Sequence, residues 1–346
     1  MKSFVFPGNI EDDILQIAAR QIPYMRTSSF SEIVKDSERM LLELINCPNG
    51  RVIFYTGSGT AAMDAVVCNY VKIKSSAFIL AGGSFGYRWK QLCEYYDCPY
   101  HLFEVPFAKD PDYTLLEDQI RTVRPDVFLC QHHETSSGEL FDLNKISDIC
   151  KKYNVFLIVD AISSFLSDPL DMEKLEIGMC ITSSQKGLNI APGLSFVILS
   201  EEALKEDFSH GNYYLDFQEN LKNLERGQTP YSPATTLFLQ LQERLKRNVA
   251  IGTEFIIETV RERALYFRSK CIENSWDIPA ESPSNCITGF FVNNNGDVLF
   301  NELQEQGIYI MPGSTPNYFR VSHLGVQSKA DIDNLVARIK TIEVKQ

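Results

Sequence analysis

The sequence has no apolar run approaching the roughly twenty residues that a membrane-crossing helix needs. It has no surplus of positive charge either: 33 Lys and Arg face 45 Asp and Glu, for a formal net charge of −12. That balance argues against nucleic acid or an anionic membrane surface as a partner. The opening stretch MKSFVFP lacks a long apolar segment and a small-residue cleavage site, so no signal peptide is expected. There is no CxxC pair. The nine cysteines are odd in number, and several sit inside apolar runs such as FLCQ and GMCIT, as reduced core thiols of a cytoplasmic protein do. The five histidines show no zinc-ligand spacing, so no metal is expected. Internal repeats and low-complexity segments are missing as well. What remains, 44% hydrophobic and 23% charged residues over 346 positions, is the composition of an ordinary globular protein with material for two domains.

The chain alternates between short apolar runs and helical patterns. Helices are expected from about 11 to 21 and from 31 to 44, the second capped by Ser29 or Ser31. Strands are expected at 51–55, 76–81, 100–105, 126–131, 155–161, 179–182 and 194–199. The helices between them begin near 61, 85, 115 and 142. Strands alternating with helices of this length predict an α/β fold, with a mostly parallel sheet between layers of helices. Residues 201–233 have an irregular, polar pattern, and 234–274 a long helical one interrupted only at Gly252. The strands expected near 287–293, 308–311 and 318–323, with helices near 297–306 and 329–341, form a small α+β unit. The expected division is a large domain over 16–240 and a small C-terminal domain over 241–346, with segment 1–15 packing near the latter.

Chemistry-bearing residues fall where the strands end. The run VFLIVD ends on Asp160, and MCIT leads into Ser183-Ser184-Gln185-Lys186-Gly187. If these strands share one sheet, a carboxylate and an amine emerge at the edge where such sheets hold ligands. That pair suits pyridoxal phosphate, with Lys186 as Schiff-base partner and Asp160 on the pyridine nitrogen. An ion pair between two loop residues would leave the same trace. The strand 51–55 runs through Thr56-Gly57-Ser58-Gly59-Thr60 into a helix, an arrangement that points free backbone N–H groups at an anion. It is neither a Walker A sequence nor a full GxGxxG, and a tight turn alone would explain its glycines. Phe85, in GGSFG, is a candidate wall of a ligand site or ordinary core. The cluster HHETSSG, 132–138, is a second candidate, or a polar loop.

Taken together, TGSGTAAMDAVV, GGSFGYRW, HHETSSG, IVDAISSF, ITSSQKGLNIAPG, GQTPYSP, IMPG and FRVSHLG resemble the class V aminotransferases, in that family's order and over nearly the whole chain. These are fold type I pyridoxal-phosphate enzymes, and the resemblance points to the branch of the 2-aminoethylphosphonate–pyruvate, alanine–glyoxylate and serine–pyruvate aminotransferases. It implies pyridoxal 5′-phosphate as cofactor and a small amino donor and a 2-oxo acid such as pyruvate as substrates. A homodimer is implied too. By the same resemblance Lys186 is the Schiff-base lysine, and Asp160 the partner of the ring nitrogen. Ser58, Gly59 and Thr60 cradle the phosphate with Gln185, Phe85 stacks on the ring, and Thr135 lies near the ring oxygen. Arg320 clamps the substrate's anionic group. Ser232, with Thr229 and Tyr231 as alternatives, reaches the partner subunit's cofactor. Tyr213, Tyr214, Phe217 and Tyr231 are candidate subunit contacts. Met25-Arg26-Thr27 departs from the His-Arg-Ser type common near the N-terminus of relatives, and Ser184-Gln185 looks more like the alanine–glyoxylate type. A cysteine desulfurase or lyase on the same fold, and a non-catalytic cofactor-binding partner protein, are the competing readings.

Overall fold

In the computed structural model, which describes residues 1–344, seven strands form one sheet. They are β1 (Arg51–Thr56), β2 (Ala77–Ala81), β3 (Tyr100–Glu104), β4 (Val127–Gln131), β5 (Phe156–Asp160), β6 (Met179–Ser183) and β7 (Leu194–Leu199). Their order across the sheet is β1-β7-β6-β5-β4-β2-β3, and only β7 runs antiparallel to its neighbours. Every residue of β2, β4, β6 and β7 is buried. Helices such as Gly59–Asn69, Ser84–Tyr95 and Leu143–Tyr153 cover the sheet, which is why its strands read as unbroken apolar runs rather than alternating ones. The expected α/β architecture is the one observed. The register sets Asp160, the last residue of β5, level with Gln131, the last of β4, and with Ile181 near the end of β6, so β4, β5 and β6 open onto one edge.

Several local expectations change. The first helix shrinks to Asp12–Gln16 and a turn of 3-10 helix, Ile17–Ala19. The second begins at Ser28, where Thr27 rather than Ser29 or Ser31 caps it, its Oγ1 accepting from Phe30 N at 3.3 Å. The segment expected to be irregular contains a helix, Phe217–Leu224, capped by Asp216, whose Oδ1 accepts from Glu219 N at 2.8 Å. The cluster at 132–138 is no plain loop, because His133–Glu134 pairs with Glu139–Leu140 as a buried hairpin. The long helical region bends at Gly252 (φ +90°), separating Thr235–Ile251 from Thr253–Glu273. Leu241 and Leu245 belong to the core of the large sheet, so the first of these helices, beyond residue 240, still packs there.

A second core gathers Phe267, Trp276, Phe290, Leu299, Phe319, Val321 and Leu335 around a three-stranded sheet of Ile287–Phe291, Tyr318–Ser322 and Met311–Pro312. Phe4 is part of that core, and Lys2–Ser3 pairs in parallel with Ile308–Tyr309. Among the described residues no helix is long and apolar enough to cross a membrane.

Candidate active site

Asp160 ends β5 and is almost fully buried. Its Oδ1 accepts from Ile162 N at 2.8 Å, and no cation contacts it among the described residues. Burial raises its pKa from 3.8 to about 7; the Glu134 carboxylate adds to this, while Lys186 and Arg88 oppose it. A buried carboxyl with one backbone donor and no counter-charge is suited to take a cationic N–H from a ligand.

Lys186 stands in the turn after β6. Its pKa is lowered from 10.5 to about 8, chiefly by burial and further by Arg320 and Arg88, against the pull of Cys286 and Asp160. An amine so depressed is neutral in a useful fraction of molecules near neutral pH, as imine chemistry requires. The turn is built around the next residue: a Cβ on Gly187 would overlap the Phe165 carbonyl oxygen. Gln185, just before the lysine, buries its Oε1 without a partner.

Three further elements converge on this edge. After β1, Ser58 sits exposed as the N-cap of the helix Gly59–Asn69 and makes no side-chain cap bond, so the first amides of that helix remain open to an anion. A Cβ on Gly59 would overlap Ile162, which places this helix start against the segment after Asp160. After β2, half-buried Phe85 lies at the start of the helix Ser84–Tyr95, with the Arg88 guanidinium 4.9 Å from its ring centre. Arg88 Nη1 donates to Thr60 Oγ1 at 3.1 Å. After β4, Thr135 donates its hydroxyl to Ser163 Oγ at 2.8 Å. From the small sheet, Arg320 Nη1 donates to Thr135 O at 2.9 Å and Nη2 to Pro312 O at 2.7 Å, while its Nε is buried with no partner. Phe319 and Val321, its neighbours in sequence, face the opposite way into the second core.

The structure therefore gathers Ser58, Gly59, Thr60, Phe85, Thr135, Asp160, Gln185, Lys186 and Arg320 at one sheet edge. Ser232 is exposed beside Thr56, Tyr214 and Pro230, at the start of the turn that carries Ser58. Thr229 and Tyr231 spend their hydroxyls within the chain, on Tyr231 O at 2.7 Å and Tyr213 O at 2.9 Å, whereas that of Ser232 has no partner among the described residues. Phe217 is corrected: it is fully buried in its own subunit, edge-on to Phe208.

Shared sequence patterns decide the kinship. The family model described as Aminotransferase class-V matches residues 18–329. The chain belongs to that family. It is 29% identical to an uncharacterized aminotransferase of Methanocaldococcus jannaschii over 258 residues, 72% of this chain and 66% of that protein, just under two thirds of its length. It is 26% identical to the 2-aminoethylphosphonate–pyruvate transaminase of Salmonella heidelberg, over 89% of this chain and 88% of the other. Among solved structures, the aspartate aminotransferase of subgroup IV from Thermus thermophilus superposes with a TM-score of 0.90 at 23% identity, covering 97% of both chains, a likeness of fold. The expected family and fold type I architecture are thus borne out, and the chain is an enzyme of the aminotransferase class.

Sequence reasoning left out several residues that border this edge. Glu134 is fully buried, and its carboxylate accepts from Phe85 N and Gly86 N at 3.2 Å, from Gln131 Nε2 at 3.0 Å and from Ser136 Oγ at 2.5 Å. It caps the helix that carries Phe85 and so sets where the aromatic stands. Arg88 brings a cation to Thr60, and the stretch GGSFGYRW held the only signal for it. Ile162 lies two residues past Asp160 against the phosphate-side helix. Phe6 has its ring centre 3.5 Å from Lys186 Nζ, across 180 positions of sequence, where no local pattern could announce it. Arg26, in the departing Met25-Arg26-Thr27, holds the GQTPYSP segment by donating to Gln228 Oε1, Thr229 O and Pro230 O at 3.2, 2.8 and 3.2 Å.

Proposed function

We propose that the protein is a pyridoxal-phosphate-dependent aminotransferase that moves an amino group from a small, anion-bearing amino donor to pyruvate or a similar 2-oxo acid. The observation that carries this is the pairing at one sheet edge of Asp160, buried without a counter-ion, and Lys186, an amine drawn down to about 8. The residues fit the cofactor. The open amides after Ser58 suit a phosphate group, and Asp160 suits a protonated ring nitrogen. When bound, pyridoxal phosphate supplies an electron sink for the donor's Cα.

The protein's own residues do the rest. With the cofactor bound, the Asp160 carboxylate would favour a proton at the ring nitrogen by charge attraction. Lys186 Nζ is the amine that takes and returns the Cα proton. Arg320, held by Thr135 O and Pro312 O, offers its remaining N–H groups, Nε among them, to the substrate's anionic group. The desulfurase alternative needs a mobile, exposed thiol. All nine cysteines are buried, and burial pushes the thiol of Cys286, near Lys186, upward in pKa. Nine free, buried thiols also suit a reducing cytoplasm.

An exposed tyrosine patch supports a homodimer. Tyr213 is 85% exposed, and Tyr214, 43% exposed, stacks on Tyr231 at 5.3 Å between ring centres. Amphipathic rings of this kind are enriched where subunits meet. Ser232, beside them and with its hydroxyl unpartnered among the described residues, is our choice for the residue that serves the partner's phosphate.

The test is a half-reaction screen of the loaded protein against alanine, serine, 2-aminoethylphosphonate and phosphonoalanine, followed by visible spectra. Conversion by at least one donor, abolished together with the visible absorbance in Lys186→Ala, is the expected result. An inert wild type, or a borohydride-fixed cofactor in the alanine variant, refutes the assignment.

A further inference from the structure

The first nine residues are pinned on both sides of Phe6. On one side Phe4 N donates to Tyr309 O at 2.9 Å, and Ser322 N donates to Phe4 O at 2.8 Å, two residues beyond Arg320 on the same strand. On the other, Val326 N and Asn189 Nδ2 donate to Asn9 O at 2.9 and 3.0 Å, and Asn189 lies three residues past Lys186. Ser3 Oγ closes the intervening turn on Pro7 O at 2.9 Å. Held this way, the half-buried ring of Phe6 packs on the buried cluster of Val260, Cys286, Ile287 and Leu324 and also sits 3.5 Å from Lys186 Nζ. Met311, the register partner of Arg320, packs on the same cluster. An apolar wall therefore borders both the amine that does the chemistry and the strand that carries the anion-binding arginine.

We propose that Phe6 sets the size and polarity of the amino donor. Resting on the aminotransferase reading above, this assigns the donor class as amino acids, or their phosphonate analogues, with a short aliphatic chain. A flat ring with no hydrogen-bonding group accepts a methyl beside the amine. It leaves a second charged or hydroxyl-bearing group without partners, and a longer chain without room. The ring contact also favours the protonated amine and so works against the burial that depresses Lys186.

The experiment compares wild type, Phe6→Ala and Phe6→Leu as loaded holoenzymes. Donors are alanine, 2-aminobutanoate and 2-aminopentanoate, and a separate calorimetric arm measures binding of pyruvate, 2-oxobutanoate and 2-oxopentanoate. Phe6→Ala should raise kcat/KM for the five-carbon donor relative to alanine by about 10- to 100-fold, mainly through KM. Phe6→Leu, which keeps an apolar side chain on the Val260–Leu324 cluster, should fall between the two and guards against misfolding. The binding arm should shift toward the longer acids in the same order. Unchanged ratios in Phe6→Leu and Phe6→Ala overturn the proposal, as does a wild type that binds none of the three acids. A wild type that binds the acids yet converts no donor overturns the aminotransferase reading alone, and the ratios in the binding arm then decide the role of Phe6.

Discussion

Replacing Asp160 by Asn should make the apoprotein more stable at neutral pH while disabling it as an enzyme. Unfolded, the Asp160 carboxyl ionises near 3.8; folded, it ionises at about 7, because burial outweighs the Ile162 N–H and the nearby cations. The folded state thus holds a proton that the unfolded state has already lost, so wild-type apoprotein loses stability as the pH rises through this window. The loss is fully present above pH 7, and the difference between the two pKa values corresponds to about 4 kcal/mol at roughly 1.4 kcal/mol per unit. Asparagine keeps an oxygen for the Ile162 amide and carries no charge. Its advantage over wild type should therefore be near zero at pH 4 and grow to about 4 kcal/mol by pH 8. Glu139 and Asp168, also buried with raised pKa values, are common to both proteins and cancel in the difference. Urea unfolding of both apoproteins between pH 4 and 8 measures this directly. The loaded Asn variant should turn over orders of magnitude more slowly than wild type. A stability difference that stays flat across the pH range refutes the reasoning, because it means the carboxyl is not held ionised at a cost.

Arg320→Lys should raise KM for donor and acceptor by about tenfold with normal cofactor absorbance, since an ammonium cannot span Thr135 O and Pro312 O and still present a planar fork; wild-type KM values for both substrates would count against the clamp. Sedimentation at assay concentration should give a dimer, and Ser232→Ala should weaken cofactor retention without altering that mass; a fully active monomer rejects the shared-site arrangement.

The large sheet was legible because its strands are covered on both faces. An unbroken run such as FLIVD or MCITS has few other uses in a folded chain. Asp160 and Lys186 were legible for the same reason, as polar residues ending such runs. What escaped depends on partners distant in sequence. Glu134 and Glu139 are charged residues in full burial, tolerated because the amides of Phe85, Gly86, Glu281 and Ser282 close on their carboxylates. Nothing local distinguishes them from a solvated loop. The helix Phe217–Leu224 escaped because its apolar face covers only Phe217 and Leu224 at full burial, with Asn220 and Asn223 buried between them on hydrogen bonds to Asp216 O and Glu219 O. Its cap, Asp216, was the available signal. The cap of the Ser28–Leu44 helix was misplaced because Thr27, Ser28, Ser29 and Ser31 crowd one another, and backbone geometry alone chooses among them.

The pairing of Lys2–Ser3 with Ile308–Tyr309, and of Phe4 with Ser322, imposes a timetable on synthesis. Most strands of the large sheet meet a neighbour that follows within a few tens of residues, although Arg51–Thr56 waits for Leu194–Leu199. The segment from Lys2 to Asn9, made long before its partners, has no place to settle until the stretch from Ile308 to Val326 has emerged behind it. Until then Phe6 stays away from Lys186, and the nascent chain carries the lysine turn without its aromatic wall. The wall is therefore among the last parts of the site to assemble.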